Sequence, residues 1–150
     1  MRQATIDDCD LVGMLVFELI TELSAPKPAG ATQSEVLQTT RELMSGSLIW
    51  AFLAESDNGE PVGVLTLNAC AAIYAGGRFG EITELYVRPE LRSEGIGTQL
   101  IHAARVFGTA QGWTRLEVCT PPVPQWDRSV MFYQQNGFLL LGPRLKLPFD

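Results

Sequence analysis

The stretch Val87-Arg88-Pro89-Glu90-Leu91-Arg92-Ser93-Glu94-Gly95-Ile96-Gly97-Thr98 constrains the fold more than any other part of the chain. Strand-forming residues, Glu81–Val87, lead into it. A helix of roughly Gly97–Thr109 follows, burying Leu100, Ala104 and Phe107. The first N–H groups of such a helix have no partner inside it, and the positive end of the helix dipole lies beside them. That arrangement suits a phosphate group. Arg92, three residues before Gly95, adds a cation at the rim.

Spacing excludes two phosphate-bearing ligands. A triphosphate loop needs a lysine directly after its second glycine, and none follows Gly97. A dinucleotide fingerprint needs a third glycine, where this chain has Leu100. What remains specific is R-x-x-G-x-G immediately after a strand ending in V-x-P.

The rest of the chain supplies alternating elements. Gln3–Thr5 is a short opening strand, and Thr5-Ile6-Asp7-Asp8 reads as a helix start. Leu11, Leu15, Leu19 and Leu23 recur every four residues as one helical face. Prolines 26 and 28 end that helix, and a second runs from about Gln33 to Met44. Leu48–Glu55 and Pro61–Cys70 read as paired strands around the Asn58-Gly59 turn. Ala71–Gly80 is a connection, Glu81–Val87 and Thr114–Thr120 are strands, and Asp127–Gln135 is a helix. Phe138–Leu147 supplies the last strand or strands. The order β-α-α-β-β-β-α-β-α-β predicts an α/β layer structure.

Arg92, Gly95 and Gly97 fill the positions of R/Q-x-x-G-x-G/A, so the loop resembles that of the GNAT superfamily of acetyl-coenzyme A-dependent N-acetyltransferases. Phe132-Tyr133-Gln134-Gln135-Asn136-Gly137-Phe138 resembles the family's closing motif, F-Y-x-x-x-G-F. The element order is similar over nearly the whole chain. The resemblance implies a central mixed, mostly antiparallel sheet of six to seven strands, split between strands 4 and 5 and flanked by about four helices. Strand 4 would be Glu81–Val87 and strand 5 Thr114–Thr120.

The resemblance also implies roles. Acetyl-coenzyme A is the acyl donor, without a metal. Backbone groups of Leu85, Tyr86 and Val87 would pair with the pantetheine arm. Arg92, Ser93, Glu94, Gly95, Ile96, Gly97 and Thr98 would hold the pyrophosphate. Tyr133 would protonate the departing thiolate, since a phenol keeps its proton at neutral pH. The base is Glu81 or Glu84, directly or through water. The two are three positions apart, so a regular strand would turn only one toward the site, and a β-bulge would change that count. Trp126 stands where the family often has a cofactor-contacting Asn. The loops Ser24–Ala31, Ala71–Phe79 and Pro121–Trp126, with Tyr74 and Arg78, are candidates for acceptor specificity.

Composition limits the partners. One domain over residues 1–150 is expected. A net charge of −6 argues against nucleic acid and anionic membranes and is compatible with a cationic amine. No apolar run reaches the length of a membrane span, and the polar, acidic start MRQATIDDCD is no cleavable signal. Cys9, Cys70 and Cys119 lie far apart, His102 has no cluster, and no metal spacing exists. A cytoplasmic protein is expected, with a homodimer possible from the resemblance alone. The expected activity is acetyl transfer to a small-molecule or peptide primary amine by direct attack in a ternary complex. The alternative is a non-catalytic acyl-coenzyme A-binding regulatory module.

Overall fold

The computed structural model describes residues 1–121 and 126–149. Its elements, in chain order, are β1 (Arg2–Gln3), α1 (Cys9–Ser24), α2 (Gln33–Ser45), β2 (Ile49–Glu55), β3 (Pro61–Ala72), β4 (Gly77–Val87), α3 (Ile96–Ala110), β5 (Leu116–Val118) and α4 (Asp127–Gln135). The five strands form one sheet in the order β1-β2-β3-β4-β5. Strands β1 to β4 pair antiparallel, and β4 pairs with β5 in parallel. This is the α/β arrangement expected, a mixed and mostly antiparallel sheet with four helices.

Local chemistry sets the element ends. Thr32 and Glu35 cap α2 reciprocally: the Thr32 N–H donates to Glu35 Oε2 at 2.7 Å, and the Glu35 N–H donates to Thr32 Oγ1 at 3.3 Å. Asp8 plays the corresponding part for Thr5 and adds a bidentate pair with Arg2, both contacts at 2.8 Å. The Arg2 guanidinium holds the Asp8 carboxyl well below the usual carboxylate range. A short 3-10 turn, Ile6–Asp8, therefore precedes α1, and the first strand is tied to the helix that follows it. The Asn58-Gly59 turn forms as expected, with Gly59 at φ +80°.

Two apolar layers sandwich the sheet. On one face Val12, Leu15 and Val16 of α1 and Val36 of α2 pack against Ala51, Leu53, Val64 and Tyr86. On the other, Leu100, Ile101 and Ala104 of α3 pack against Phe52, Leu65, Leu67 and Ile82, closed at one end by Trp113.

The ladder departs from the sequence expectation in three places. Strand β3 runs on to Ala72 and β4 starts at Gly77, so most of the expected Ala71–Gly80 connection is hairpin. Gly76 and Gly77, at φ +75° and +127°, make that tight reversal. Strand β5 is shorter than the expected Thr114–Thr120. Among the described residues there are five strands rather than six to seven, because Phe138–Leu147 is not extended into the sheet. Gly142 at φ +138° breaks the pleat, Pro143 has no N–H for a ladder, and Leu139, Leu140, Leu141, Leu145 and Leu147 stay exposed.

Two irregularities of β4 position the site. Leu67 pairs with Ile82 but Thr66 pairs with Glu84, so Thr83 is an extra residue, a β-bulge. Pairing of β4 with β5 stops at Ile82–Val118, after Gly80–Leu116 and Glu81–Glu117. Beyond that point β4 continues to Val87 with its far edge free of any strand among the described residues. The split expected between strands 4 and 5 is this divergence.

Gly80 seats Trp113 at the start of the divergence. A Cβ built there would lie 2.2 Å from Trp113 Cζ3 and 2.8 Å from Leu116 Cδ2. Gly80→Ala is expected to destabilise the fold by about 1–3 kcal/mol through overpacking, read as a lower urea midpoint. An unchanged midpoint would show that Trp113 does not sit against this glycine.

Candidate functional site

The loop before α3 is coiled by left-handed residues. Ser93 has φ +68° and Gly95, the residue before α3, has φ +84°. Such angles are rare for a side chain like serine's and mark a loop fixed by its surroundings. A Cβ on Gly95 would meet nothing within 4 Å, so glycine is required there by backbone conformation and not by space. Among the described residues no side chain caps α3, and its first intrahelical bond runs from the Gln99 N–H to the Gly95 carbonyl. The N–H groups of Ile96, Gly97 and Thr98 are therefore the orphan donors of the first turn. Ser93 and Glu94 are exposed beside them. Gly97 has a second duty, since a Cβ there would stand 2.9 Å from Phe132 Cζ. The second glycine of the motif lets α4 lie against α3.

Arg92 departs from its expected place at the rim. Its guanidinium turns back onto α1 and donates to both Glu22 oxygens, at 2.9 and 2.6 Å, and through Nε to the Val87 carbonyl at 2.8 Å. It also covers the Tyr86 ring at 5.5 Å. The hydrogen bonds from Arg92 pull the Glu22 carboxyl below its ordinary range. Arg88 leans in the same way toward Glu18, at 3.5 Å. Both loop arginines are thus balanced by α1, and the positive character left at the loop comes from backbone N–H groups. Burial, with help from Glu18, pushes the Tyr86 phenol up to about 12.

Leu85, Tyr86 and Val87 lie past the last residue paired with β5, on the free part of β4. Leu85 and Val87 face the α3 layer and Tyr86 faces the α1–α2 layer. The Val87 carbonyl is occupied by Arg92.

The bulge at Thr83 settles the register of the two glutamates. Glu81 pairs with Asn68, Glu84 with Thr66 and Tyr86 with Val64, and these β3 partners alternate by two. Both glutamates therefore face the α1–α2 side. Their surroundings differ. Glu81 forms an ion pair with Arg144 and accepts the Cys70 Sγ thiol at 3.8 Å. Glu84 lines a cleft of about 590 Å³ between α1, α2 and the sheet; its Oε2 accepts the hydroxyls of Thr66 and Thr83, the latter at 2.7 Å. No cation pairs with Glu84 among the described residues. Thr66, Asn68 and Thr83 join this cleft through a strand register that the sequence does not display, and sequence reasoning missed them.

Tyr133 lies on the opposite side. It packs with the α3 layer between Phe132 and Phe138, both rings at 5.4 Å, against the same core as Leu85, Val87 and Ile96. Burial pushes its phenol up to about 12. Tyr74, Arg78 and Trp126 do not line the cleft; Tyr74 instead carries the Arg115 guanidinium at 5.4 Å. Of the specificity loops, Ser24–Ala31 reaches the cleft through Ala31, and residues 122–125 of the third lie outside the described residues. No group of three or more metal-ligating side chains converges among the described residues. None of the helices among them is long and apolar enough to cross a membrane.

The sequence profile described as Acetyltransferase (GNAT) family matches residues 8–138. Similar solved structures carry the same fold. A ribosomal-protein-alanine N-acetyltransferase from Brucella melitensis biovar Abortus 2308 is 20% identical, with 99% of this chain and 98% of that chain covered, at a TM-score of 0.74. A predicted acetyltransferase from Clostridium acetobutylicum, solved with acetyl-CoA, is 17% identical over 98% and 94% of the two chains, at 0.78. An aminoglycoside N-acetyltransferase in complex with CoA is 19% identical over 99% and 92%, also at 0.78. A search of curated protein sequences finds no match.

The Arg92–Glu22 pair has a pH signature. The folded-state Glu22 carboxyl is depressed, so its contribution to stability is complete above the unfolded value of about 4.3 and fades as pH falls through the folded one. Glu22→Gln is expected to lower the urea midpoint at pH 7, a difference that shrinks progressively as pH falls below about 4. A gap that persists undiminished at pH 3 would assign the effect to packing.

Proposed function

The chain belongs to the acetyltransferase (GNAT) family, and we propose that it moves the acetyl group of acetyl-coenzyme A to a primary amine by direct attack in a ternary complex. One observation carries the proposal. The uncapped N–H groups of Ile96–Thr98 and the Tyr133 phenol lie on the α3 side of β4, the Glu84 cleft lies on the other, and the free edge of β4 joins them.

The residues fit the donor. Three first-turn N–H groups and the open space beside Gly95 suit a pyrophosphate, with no lysine needed. The edge of β4 past Ile82, free of a strand along Leu85–Val87 and with only the Val87 carbonyl taken by Arg92, suits a chain containing amide groups, which would add to it as a strand does. Bound there, acetyl-coenzyme A supplies an acyl carbon activated as a thioester.

The chain's own groups then handle protons. Glu84, held by two threonine hydroxyls, takes one proton from the bound ammonium and exposes the nitrogen lone pair. As the C–N bond forms and the C–S bond breaks, Tyr133 gives its proton to the leaving sulfur. The second proton of the product nitrogen returns through solvent to the phenolate, and Glu84 releases its own to solvent. Burial keeps Tyr133 protonated at neutral pH, as a proton donor requires. Glu81 is spent on Arg144 and serves as a structural ion pair. A single domain over residues 1–150 accommodates all these roles, and a small-molecule or peptide amine is the acceptor.

Thiol release from acetyl-coenzyme A across an amine panel tests this reading. Tyr133→Phe and Glu84→Gln are each expected to lower kcat by about 100-fold while coenzyme A affinity changes little. Full turnover in either variant removes that residue from the mechanism. Tight coenzyme A binding with no release for any amine would replace the enzyme with a non-catalytic binding module.

A further inference from the structure

We infer that the acceptor is a primary amine with one positive charge on an apolar body and no anionic group, its ammonium held by Glu84 and Asn68. The inference rests on the acetyl-transfer reading for what happens to the amine, but on the cleft alone for which amine binds.

The lining decides the chemistry. Val12, Val16, Ile20, Val36, Leu43 and Ile49 make most of the wall, with Thr39 and Thr40 of α2 among them. No lysine or arginine is among the lining residues, whereas Glu35 and Glu84 are. Glu35 spends Oε2 on the α2 cap at Thr32, and its Oε1, on an exposed residue at the rim, adds to the negative potential. Glu84 spends Oε2 on Thr66 and Thr83, which leaves Oε1 without a partner among the described residues.

Asn68 makes the second contact. Its Nδ2 donates to Cys70 Sγ at 3.6 Å, while its Oδ1 is buried with no hydrogen-bond partner among the described residues. A buried acceptor left unpaired is costly. Asn68 pairs with Glu81 on the cleft side of the ladder, next but one to Thr66, which binds Glu84. Asn68 lines the cleft, so a turn of its amide would bring Oδ1 to an ammonium held at Glu84 Oε1 and satisfy both acceptors. The carbon body of the amine would then replace water against valine, leucine and isoleucine.

Two other amine classes fit badly. An amino acid would bring its carboxylate toward Glu84 and Glu35 with no cation to receive it. A polycationic sugar would press hydroxyls and further ammonium groups against the apolar walls. Burying such groups unpaired is strongly unfavourable. The aminoglycoside-modifying relative therefore shares the fold without predicting the acceptor.

Calorimetric titration of the full chain with coenzyme A present reads the cleft, and thiol release reads the transfer. 2-Phenylethylamine is expected to bind at least about tenfold more tightly than phenylalanine or the aminoglycoside kanamycin. Asn68→Leu is expected to weaken phenylethylamine about tenfold by removing one hydrogen bond to a charged group. Leu48, 61% exposed at the lip, allows a variant that spares the core. Leu48→Arg is expected to shift the preference toward phenylalanine. Equal or tighter binding of phenylalanine or kanamycin by the wild type, or no binding of phenylethylamine, overturns the inference. Phenylethylamine that binds without thiol release upholds the cleft assignment and overturns acetyl transfer instead.

Discussion

Thr83 is the residue that β3 has no partner for, and the site is arranged around it. Were the strand regular, with no bulge at Thr83, Glu81 and Glu84 would face opposite layers. With it, Glu84, Thr66 and Asn68 share one face, and Leu85 and Val87 return to the α3 face in step with Ile82. The bulge also places the Thr83 hydroxyl against Glu84. A bulge increases local twist, and pairing between β4 and β5 ends one residue before it, at Ile82. The opening of the sheet and the orientation of the carboxylate thus share one local cause.

The loop after β4 depends on the same strand. Arg92 reaches back to the Val87 carbonyl and to Glu22, so the end of β4, the loop and α1 form one connected unit. That tie supports the left-handed residues Ser93 and Gly95, which would otherwise be strained. Phe132 against Gly97 then brings α4, and with it Tyr133, to the start of α3. The two glycines of the motif serve separate ends: Gly95 shapes the backbone and Gly97 admits a neighbouring ring.

Much of this was legible in the sequence. Periodic leucines located α1, Asn58-Gly59 located the hairpin turn, and R-x-x-G-x-G after V-x-P located the loop. These signals are local, carried by residues within a few positions of one another. What escaped was non-local. The bulge depends on how β3 pairs with β4, and the pairing of Arg92 with Glu22 spans 70 positions. The leucines of Phe138–Leu147 looked like a strand, but Gly142 and Pro143 interrupt the pleat. Two of the expected site residues, Arg92 and Glu81, are engaged elsewhere in the fold, by Glu22 and Arg144.

On the proposed reading, the charges on the two sides of β4 reconcile an acidic chain with an anionic donor and a cationic acceptor. On the α1–α2 side, Glu84 and Glu35 lie in a cleft without a cation, so the net charge of −6 assists an ammonium. On the loop side, Arg88 and Arg92 are balanced by Glu18 and Glu22, and the attraction for phosphate falls to fixed backbone dipoles. Free arginines there would extend a positive field around the edge of β4 and oppose an ammonium on the other face. Short-range N–H groups act only on what touches them. Neutralised arginines would therefore let a single strand serve the proposed anion and cation sites a few residues apart without either weakening the other.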